Sequence, residues 1–247
     1  MPDLALLQTL LPGIQIRAFE ETASTNREAC SWLLSGAQHG DLVIADRQTQ
    51  GRGRLGRSFS STDGGLYMTI LLRMPPAPGP ITTLCAVAVC RALQKLTDFQ
   101  PQIKWVNDVQ IGEKKVCGIL CEGIWQGGVA VGMAVGIGVN LWNRLPEDLQ
   151  SIARSLYPNK DACPISREQL AAVIYQEIMR ALPQIPAHMD AYRSLCLTLG
   201  REVYWKTPSG QQTGTALDVS EEGALIVRLP DGSTRSLSSG EVSVRPV

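Results

Sequence analysis

The residues best suited to chemistry lie in one short basic run, residues 51–57, which read GRGRLGR. With Arg47 before it, this run places four arginines within eleven residues that contain no acidic residue. Like charges about 4 Å apart repel by about 4 kcal/mol at a surface-like dielectric, so we expect a loop that stays mobile until an anion binds. Arginine offers paired hydrogen bonds to phosphate or carboxylate oxygens, and glycine permits the change of backbone conformation. The run therefore predicts a flexible loop that closes on an anionic ligand.

The same glycines satisfy the dinucleotide-binding pattern G-x-G-x-x-G, a weak match that depends on its context. A predicted strand precedes the pattern, but residues 58–65, SFSSTDGG, are typical of turns rather than of the helix that would hold a pyrophosphate. No acidic residue that could bind a ribose occurs between Asp63 and Asp98. Because the chain also lacks a GxxxxGKS/T phosphate loop, the sequence favours neither type of nucleotide site.

Composition excludes further classes of function. Lys+Arg and Asp+Glu both total 23, so no overall field draws the chain to nucleic acid or to an anionic membrane. The 7 cysteines form no CxxC pair and are expected to be reduced thiols. The 2 histidines, His39 and His188, have no neighbours that indicate a zinc site or a Ser-His-Asp triad. The N-terminal MPDLALLQTL has no basic signal region, so the sequence predicts a cytoplasmic protein.

Two strands and a helix are expected to position the basic loop. Residues 42–45 predict a short buried strand before it, and GGLYMTILLR at residues 64–73 predicts a strand after it. Residues 24–36 predict a helix in which Thr25 and Glu28 form a capping box.

Further elements are predicted along the chain. Thr82 or Thr83 is expected to cap a helix that runs to about Leu96, and Ser166 with Gln169 is expected to cap a later helix. Glycine and β-branched residues predict two central strands that a ligand or a neighbouring backbone approaches closely, KVCGILCEG and GGVAVGMAVGIGVN.

The pattern of predicted secondary structure changes after residue 197. Short predicted strands then alternate with PSG, SEEG and PDG turns, which is the pattern of a small all-β barrel. The sequence therefore predicts two domains, residues 1–197 and residues 198–247.

Six segments occur in an order that is specific for one family. The segments are STN (24–26), DRQTQGRGRLGRSFSS (46–61), KWVND (104–108), KKVCGIL (114–120), GIGVN (136–140) and the terminal GALIVRLPDG with SGEVSVR. Together they resemble the biotin protein ligases, over roughly residues 22–142 and 198–247.

The resemblance implies a fold and a reaction. The fold is α+β, a mixed β-sheet with helices on one side, of the class II synthetase and biotin–lipoyl ligase type, with a small C-terminal SH3-like β-barrel. In the reaction, biotin and ATP form biotinyl-5′-adenylate with the help of Mg²⁺, and a lysine of a biotin carboxyl carrier protein domain then accepts the biotin. A cationic loop fits this reaction because a carboxylate must approach a polyphosphate.

The resemblance also implies catalytic residues. Lys115 matches the lysine that contacts both the biotin carboxylate and the α-phosphate, and only the alignment of the following VCGIL separates it from Lys114. Arg54 is the loop residue expected to contact the same reacting groups. Asp108 is expected to orient a metal ion or the ribose.

The remaining implied residues divide between biotin and ATP, with two alternatives. Ser24 or Thr25 alone would be interpreted as a helix cap, and Trp105 is expected in the core rather than in the site. The expected biotin-binding residues are Ser24, Thr25, Asn26, Gln48, Arg52, Gly53, Arg54, Phe59, Lys115 and Gly118. The expected ATP-binding residues are Arg54, Arg57, Asn107, Asp108, Lys115 and Asn140.

Three departures from the family pattern affect these expectations. Phe59 stands where the family usually has Trp, which keeps an aromatic wall but removes an indole donor. Val106 replaces the usual proline of KWPND and leaves Asn107 and Asp108 in place. Only about two dozen residues precede STN, so we expect neither a helix-turn-helix domain nor operator binding.

Two other functions stay open. A lipoate or octanoate ligase or transferase of the same superfamily would share the fold, although the arginine-rich loop argues against it. A non-enzymatic nucleic-acid adaptor would use the loop and the terminal barrel, but the balanced charge weighs against it. No binding to DNA or to a membrane is expected, and the oligomeric state is left open, with a homodimer as one outcome.

Overall fold

The computed structural model describes residues 1–73, 77–207, 210–238 and 245–246. The strands of its larger sheet are β1 (Ile16–Thr22), β2 (Leu42–Gln48), β3 (Leu66–Leu72), β4 (Gln102–Lys104), β5 (Asp108–Ile111), β6 (Lys114–Gln126) and β7 (Val129–Val139). This seven-stranded sheet has the order β1-β2-β3-β7-β6-β5-β4. β1 and β2 are parallel, and the other neighbouring pairs are antiparallel. The predicted α+β class with a mixed sheet is confirmed.

Five helices accompany this sheet in the described part of the chain. They are α1 (Leu4–Leu10), α2 (Thr25–Leu34), α3 (Pro78–Leu96), α4 (Arg167–Ala181) and α5 (Met189–Leu195). None of these helices combines the length and the apolar character needed to cross a membrane.

Helices cover both faces of the sheet, so the expectation of helices on one side is wrong. Leu42 and Ile44 of β2 pack in the core that contains α3 and α4. Val43, which points to the opposite face, packs with Leu71 and with α2 in a second core. Successive residues of a strand point to opposite faces, and a strand that is apolar at every position therefore needs cover on both sides. The continuous apolar run of β2 carried this signal in the sequence.

Two predicted helix caps are wrong. α2 begins at Thr25 after Ser24, and no side chain caps it at Ser24; the Glu28 carboxylate instead accepts a hydrogen bond from Thr22. α3 begins at Pro78, where the fixed backbone of proline suits the first turn of a helix, so Thr82 lies inside the helix and donates back to the Pro78 carbonyl.

The cap of the later helix is confirmed. The Ser166 hydroxyl accepts from the Gln169 backbone amide at 3.1 Å, and the Gln169 side chain accepts from the Ser166 amide at 2.9 Å. This reciprocal pair is a capping box that fixes the first turn of α4.

A smaller antiparallel sheet follows near the C-terminus. Its strands are β8 (Glu202–Thr207), β9 (Gly210–Val219), β10 (Leu225–Arg228), β11 (Thr234–Leu237) and β12 (Arg245–Pro246), in the order β11-β10-β9-β8-β12. Among the described residues, no pairing between β11 and β12 closes this sheet into a barrel. The predicted SH3-like barrel is therefore confirmed only as a small antiparallel sheet.

The smaller sheet packs directly against the larger unit. The Trp105 indole donates to the Gly223 carbonyl at 3.0 Å, and the Arg193 guanidinium of α5 lies 2.9 Å from the Asp218 carboxylate. Gly79 lies so close to the Glu222 carbonyl that a side chain at position 79 would overlap it. These contacts attach the smaller sheet to the turn that carries Trp105, to α5 and to the first turn of α3.

Candidate active site

One cavity of about 550 Å³ unites the predicted site residues. It lies beneath residues 51–57, here called the arginine loop, and against the ends of β2, β5, β6 and β7. The predicted residues that line it are Ser24, Thr25, Asn26, Gln48, Arg52, Gly53, Arg54, Arg57, Phe59, Asn107, Asp108, Lys115, Gly118 and Asn140.

Three glycines, Gly118, Gly136 and Gly138, form a floor of bare backbone, here called the glycine floor. A Cβ atom on Gly138 would lie 2.5 Å from the Phe59 ring, and one on Gly118 would lie 2.9 Å from both Phe59 and the Lys115 ammonium group. A Cβ on Gly136 would overlap the Asn26 amide. Only glycine therefore leaves room for these side chains at the floor of the cavity. The sequence pattern GIGVN contained Gly136 and Gly138, but only Gly118 was predicted.

Asn26 provides a fixed polar group at one end of the cavity. Its Nδ2 donates to Glu122 Oε2 at 2.7 Å and to the Leu120 carbonyl at 3.3 Å. Its Oδ1 accepts from the Thr69 hydroxyl at 2.7 Å. Both amide hydrogens are thus used, and Oδ1 keeps one lone pair for a donor in a ligand.

Gln48 replaces the expected helix cap. Its Oε1 accepts from the Thr25 backbone amide at 2.8 Å and from the Thr25 hydroxyl at 3.1 Å. Its Nε2 donates to the Ser61 hydroxyl at 2.8 Å, and that hydroxyl donates to the Phe59 carbonyl. The interpretation of Ser24 or Thr25 as a mere cap is therefore wrong. The start of α2 is instead tied through Gln48 to the segment that carries Phe59.

The arginine loop folds as a tight hairpin over the cavity. Gly53 N donates to the Arg57 carbonyl at 2.7 Å, and Phe59 N donates to the Gly51 carbonyl at 2.9 Å. Leu55 at its tip is exposed and has a left-handed backbone with φ of 55°. This hairpin keeps the loop arginines at the mouth of the cavity. Its mobility without an anion stays a prediction.

The two neighbouring lysines of KKVCGIL are separated by the strand geometry. Lys115 Nζ lies 2.6 Å from Asp108 Oδ1 and 5.5 Å from the centre of the Phe59 ring, inside the cavity. Lys114 Nζ donates to the Gln150 carbonyl at 2.8 Å and does not line the cavity. Alternation along a strand sends neighbouring side chains to opposite faces, so only Lys115 faces the site.

Arg54 bridges the arginine loop and the KWVND turn. Its Nη1 donates to Asn107 Oδ1 at 3.0 Å, and Asn107 Nδ2 donates to the Ile119 carbonyl at 2.9 Å. Burial lowers the pKa of the Arg54 guanidinium below its usual value and Arg57 lowers it further, whereas Asp108 raises it. An anion bound beside Arg54 would offset this cost of burying the charge.

The two substitutions relative to the family pattern leave the site intact. The Phe59 ring stands over Gly118 and Gly138 and meets the Tyr67 ring edge to face, with centroids 6.4 Å apart. The peptide bond between Trp105 and Val106 is cis. Asn107 and Asp108 both line the cavity after this bond. Trp105 is buried in the core as expected, and it also lines the cavity.

One wall of the cavity and several supporting side chains were not predicted from the sequence. Residues 145–153, in which no motif was identified, form a wall through Leu145, Leu149, Ile152 and Ala153. The backbone of this segment pairs with Lys115, whose amide donates to the Ile152 carbonyl at 3.0 Å. Lys104 and, from the smaller sheet, Tyr204 also line the cavity. The buried Thr69 and Ser61 and the half-buried Glu122 support the predicted residues. A polar residue inside an apolar strand was the only signal for Thr69 and Glu122, whereas Ser61 lies outside the strands.

Known proteins share both the sequence and the fold. Residues 18–140 match the Biotin/lipoate A/B protein ligase family, and residues 198–245 match the Biotin protein ligase C terminal domain. The bifunctional ligase/repressor BirA of Bacillus subtilis is 30% identical, and the match covers 94% of this chain and 75% of that protein. The biotin–[acetyl-CoA-carboxylase] ligase of Mycobacterium tuberculosis is 31% identical, with 92% of this chain and 88% of that protein covered.

The solved structures agree. The biotin protein ligase of Aquifex aeolicus in complex with biotin and ATP is 29% identical, with a TM-score of 0.83 over 94% of this chain and 99% of that chain. On these matches and on the cavity that unites the predicted residues, the chain belongs to the biotin protein ligases.

Proposed function

We propose that this chain is an ATP-dependent biotin protein ligase. In the first step, a carboxylate oxygen of biotin attacks the α-phosphorus of ATP, the bond to the β-phosphate breaks, and biotinyl-5′-AMP and pyrophosphate form. In the second step, a lysine amine attacks the acyl carbon, AMP leaves, and the nitrogen loses a proton as the amide forms. The observation that carries the proposal is a single cavity in which a bare backbone floor continues into a cluster of cations.

The glycine floor and its polar end suit the fused rings of biotin. Bare backbone would allow an apolar bicycle to lie close to the strands, and the Phe59 ring, which stands over Gly118 and Gly138, would form an aromatic wall beside it. The free lone pair of Asn26 Oδ1 would accept from a ureido N–H of biotin. Ser24, Thr25 and Gln48 border the same end of the cavity.

The cations at the other end suit the transfer of the adenylyl group. Negative charge builds up on the α-phosphate oxygens as the carboxylate attacks, and fixed cations stabilise that charge best in a site with little water. Lys115 would exchange its Asp108 partner for the carboxylate and the α-phosphate, and Arg54 would contact the same groups from the loop. Arg57 and Asn140 would contact the nucleotide.

The site fits a Mg²⁺ ion that arrives with ATP. Across the described ranges, no group of three His, Cys, Asp or Glu side chains could hold a metal ion. Mg²⁺ bound to a nucleotide usually takes one or two carboxylates and otherwise keeps phosphate and water ligands, and Asp108 with Asn107 supplies such oxygens. The bound ion would supply charge neutralisation for the departing pyrophosphate.

The arginine loop would protect the adenylate. With its hairpin closed over the cavity, the mixed anhydride would be shielded from water until the acceptor amine arrives. Arg52 and Gly53 would then lie over the bound biotin.

The acceptor in this proposal is a lysine of a biotin carboxyl carrier protein domain. The name of the Mycobacterium tuberculosis relative, which specifies acetyl-CoA-carboxylase, supports this assignment. The proposal includes a division into a catalytic domain (1–197) and an SH3-like C-terminal domain (198–247), cytoplasmic location and no binding to DNA or membranes. A lipoate ligase is the second candidate, because the matched family includes lipoate enzymes, but the named relatives favour biotin. Calorimetric titration with biotin and with lipoate separates the two.

Biotin-dependent exchange of pyrophosphate into ATP tests the first step. We expect exchange in the wild type and a loss of about 100- to 1,000-fold in Lys115→Ala, the range for removal of one transition-state contact. Lys114→Ala is the matched control, because Lys114 carries the same charge but points away from the cavity. No exchange in the wild type would overturn the proposal, whereas full exchange in Lys115→Ala would overturn only the role of Lys115.

A further inference from the structure

Glu122 is a charged residue to which the proposed reaction gives no role. It lies on β6 beyond the glycine floor, is half-buried, and does not line the cavity. Its two carboxylate oxygens face different parts of the site. Oε2 accepts from Asn26 Nδ2 at 2.7 Å, and Oε1 lies 3.9 Å from Arg52 Nη1 of the arginine loop.

The contact with Asn26 determines what that amide offers to a ligand. Asn26 is 4% exposed, and a carboxylate is a stronger acceptor than a neutral group. Glu122 and the Leu120 carbonyl together take both amide hydrogens of Asn26, while Thr69 donates to its oxygen. The Asn26 amide therefore cannot flip without losing these bonds, and it faces the cavity as an acceptor.

The contact with Arg52 attaches the arginine loop to β6. Arg52 lies at the start of the hairpin, and its backbone pairs with that of Ser58 at the end of the hairpin. A restraint on Arg52 therefore restrains the whole loop. The Arg52 side chain is 46% exposed and the Glu122 side chain 34% exposed. An ion pair with this exposure changes an equilibrium by roughly 1.4- to 5-fold, so it would bias the closed loop without locking it.

We infer that Glu122 is a positioning residue for the proposed biotin site. Its carboxylate fixes the Asn26 amide as an acceptor, and its ion pair with Arg52, here called the latch, favours the closed position of the arginine loop. The inference rests on the proposed function for the identity of the ligand, but the latch itself is a property of the free protein. Glu122 thereby couples the ring end of the cavity to the loop that covers the reacting end.

Two substitutions separate the two contacts. Glu122→Gln keeps an oxygen that accepts from Asn26 and removes the charge that attracts Arg52, whereas Glu122→Ala removes both contacts. We expect the KM for biotin in pyrophosphate exchange to rise about 2- to 5-fold in Glu122→Gln and further in Glu122→Ala. We expect kcat to stay within about 2-fold in Glu122→Gln, because the residue touches no reacting group.

Limited trypsin digestion of the free protein tests whether the Glu122–Arg52 ion pair holds the arginine loop closed. The loop contains Arg52, Arg54 and Arg57 as cleavage sites, and we expect cleavage there to be about 2- to 5-fold faster in Glu122→Gln than in the wild type. High salt should speed loop cleavage in the wild type and change it less in the variant, because salt screens exposed ion pairs.

Glu20→Gln is the matched control. It removes one negative charge from an exposed pair with Arg47, at 3.4 Å, outside the cavity. Its loop cleavage and its KM for biotin should equal those of the wild type. Equal loop cleavage and an equal KM in Glu122→Gln and the wild type would overturn the inference. A wild type that fails to bind biotin would instead contradict the proposed function, and the digestion would still test the latch.

Discussion

Lys115 Nζ and Asp108 Oδ1 form a 2.6 Å ion pair in the cavity beneath the arginine loop. The β5–β6 register holds the pair there, because it places Asp108 opposite Gly118, the glycine beneath the Lys115 ammonium group. The lysine thus has a carboxylate partner before any substrate binds. In the proposed reaction, an incoming anion would compete with the Asp108 carboxylate for the Lys115 ammonium group.

Asp108→Asn tests this pair. Without the carboxylate, Lys115 loses its partner and a magnesium ion loses its charged ligand, so we expect pyrophosphate exchange to fall about 10- to 100-fold. Excess Mg²⁺ should restore part of the activity, and biotin affinity should change by less than about 2-fold. Asp98→Asn, which removes an exposed acid outside the cavity, should behave as the wild type. Equal Mg²⁺ dependence in Asp108→Asn and the wild type would remove Asp108 as a metal ligand.

Gly138→Ala tests the glycine floor. The new methyl group would lie 2.5 Å from the Phe59 ring, so the aromatic wall must shift or the cavity must narrow. We expect biotin affinity, measured by calorimetry, to fall at least about 10-fold, while ATP affinity changes little. Gly123→Ala is the control on β6, because its methyl group would meet only the end of the flexible Trp125 side chain, at 3.1 Å. Equal losses of biotin and ATP affinity would indicate general misfolding instead.

Gln48→Ala tests the cap that Gln48 supplies to α2. The substitution leaves the Thr25 backbone amide without its acceptor, and an unsatisfied buried donor costs about 1–3 kcal/mol. We expect the free energy of unfolding in urea to fall by that amount, together with biotin affinity. Gln48→Glu keeps an acceptor oxygen and should retain most of the stability. A stable Gln48→Ala protein would show that water satisfies Thr25.

His188 predicts a dependence of stability on pH. The imidazole is buried at the start of α5, with Nε2 at 2.8 Å from the Thr83 hydroxyl of α3. Burial and, to a smaller extent, Arg91 together lower the pKa of His188 from 6.5 to about 4. Between these values the unfolded chain binds a proton that the folded chain does not, so stability is full above pH 6.5 and falls towards pH 4.

The size of this loss is expected to be about 1–3 kcal/mol. Urea unfolding at several pH values measures it, and His188→Gln should show a smaller decline over the same range. His39→Gln, which changes an exposed histidine, should retain the wild-type decline. The same decline in both variants would show that carboxylates rather than His188 cause it.

Much of the candidate site was predictable because its residues lie in contiguous motifs. Lys115, Asn107 and the arginine loop are each embedded in a short pattern that resembles one family. Residues that act through packing had no such pattern. Residues 145–153 become a wall only when their backbone pairs with Lys115, and a pairing across more than 30 residues has no local signature in the sequence.

The predicted fold failed where local propensity competes with tertiary contacts. Thr25 and Glu28 have the spacing of a capping box, but the nearby Gln48 satisfies the helix start and Thr22 takes the Glu28 carboxylate. α3 begins at Pro78 rather than after Thr82 or Thr83, because the fixed backbone of proline suits the first turn of a helix. In both cases the pattern predicted a helix correctly and its cap wrongly.

Gly118 on β6 lies directly opposite Gly138 on β7, so the glycine floor forms only when these two strands pair in the correct register. A slip of one residue would bring Ile119 or Ile137 to the cavity face, because side chains alternate along a strand. Branched side chains would then cover the glycine floor, where the proposed ligand would bind. A misaligned chain would thus be unable to bind at all, and a ligand present during synthesis would selectively stabilise molecules whose two central strands had paired correctly.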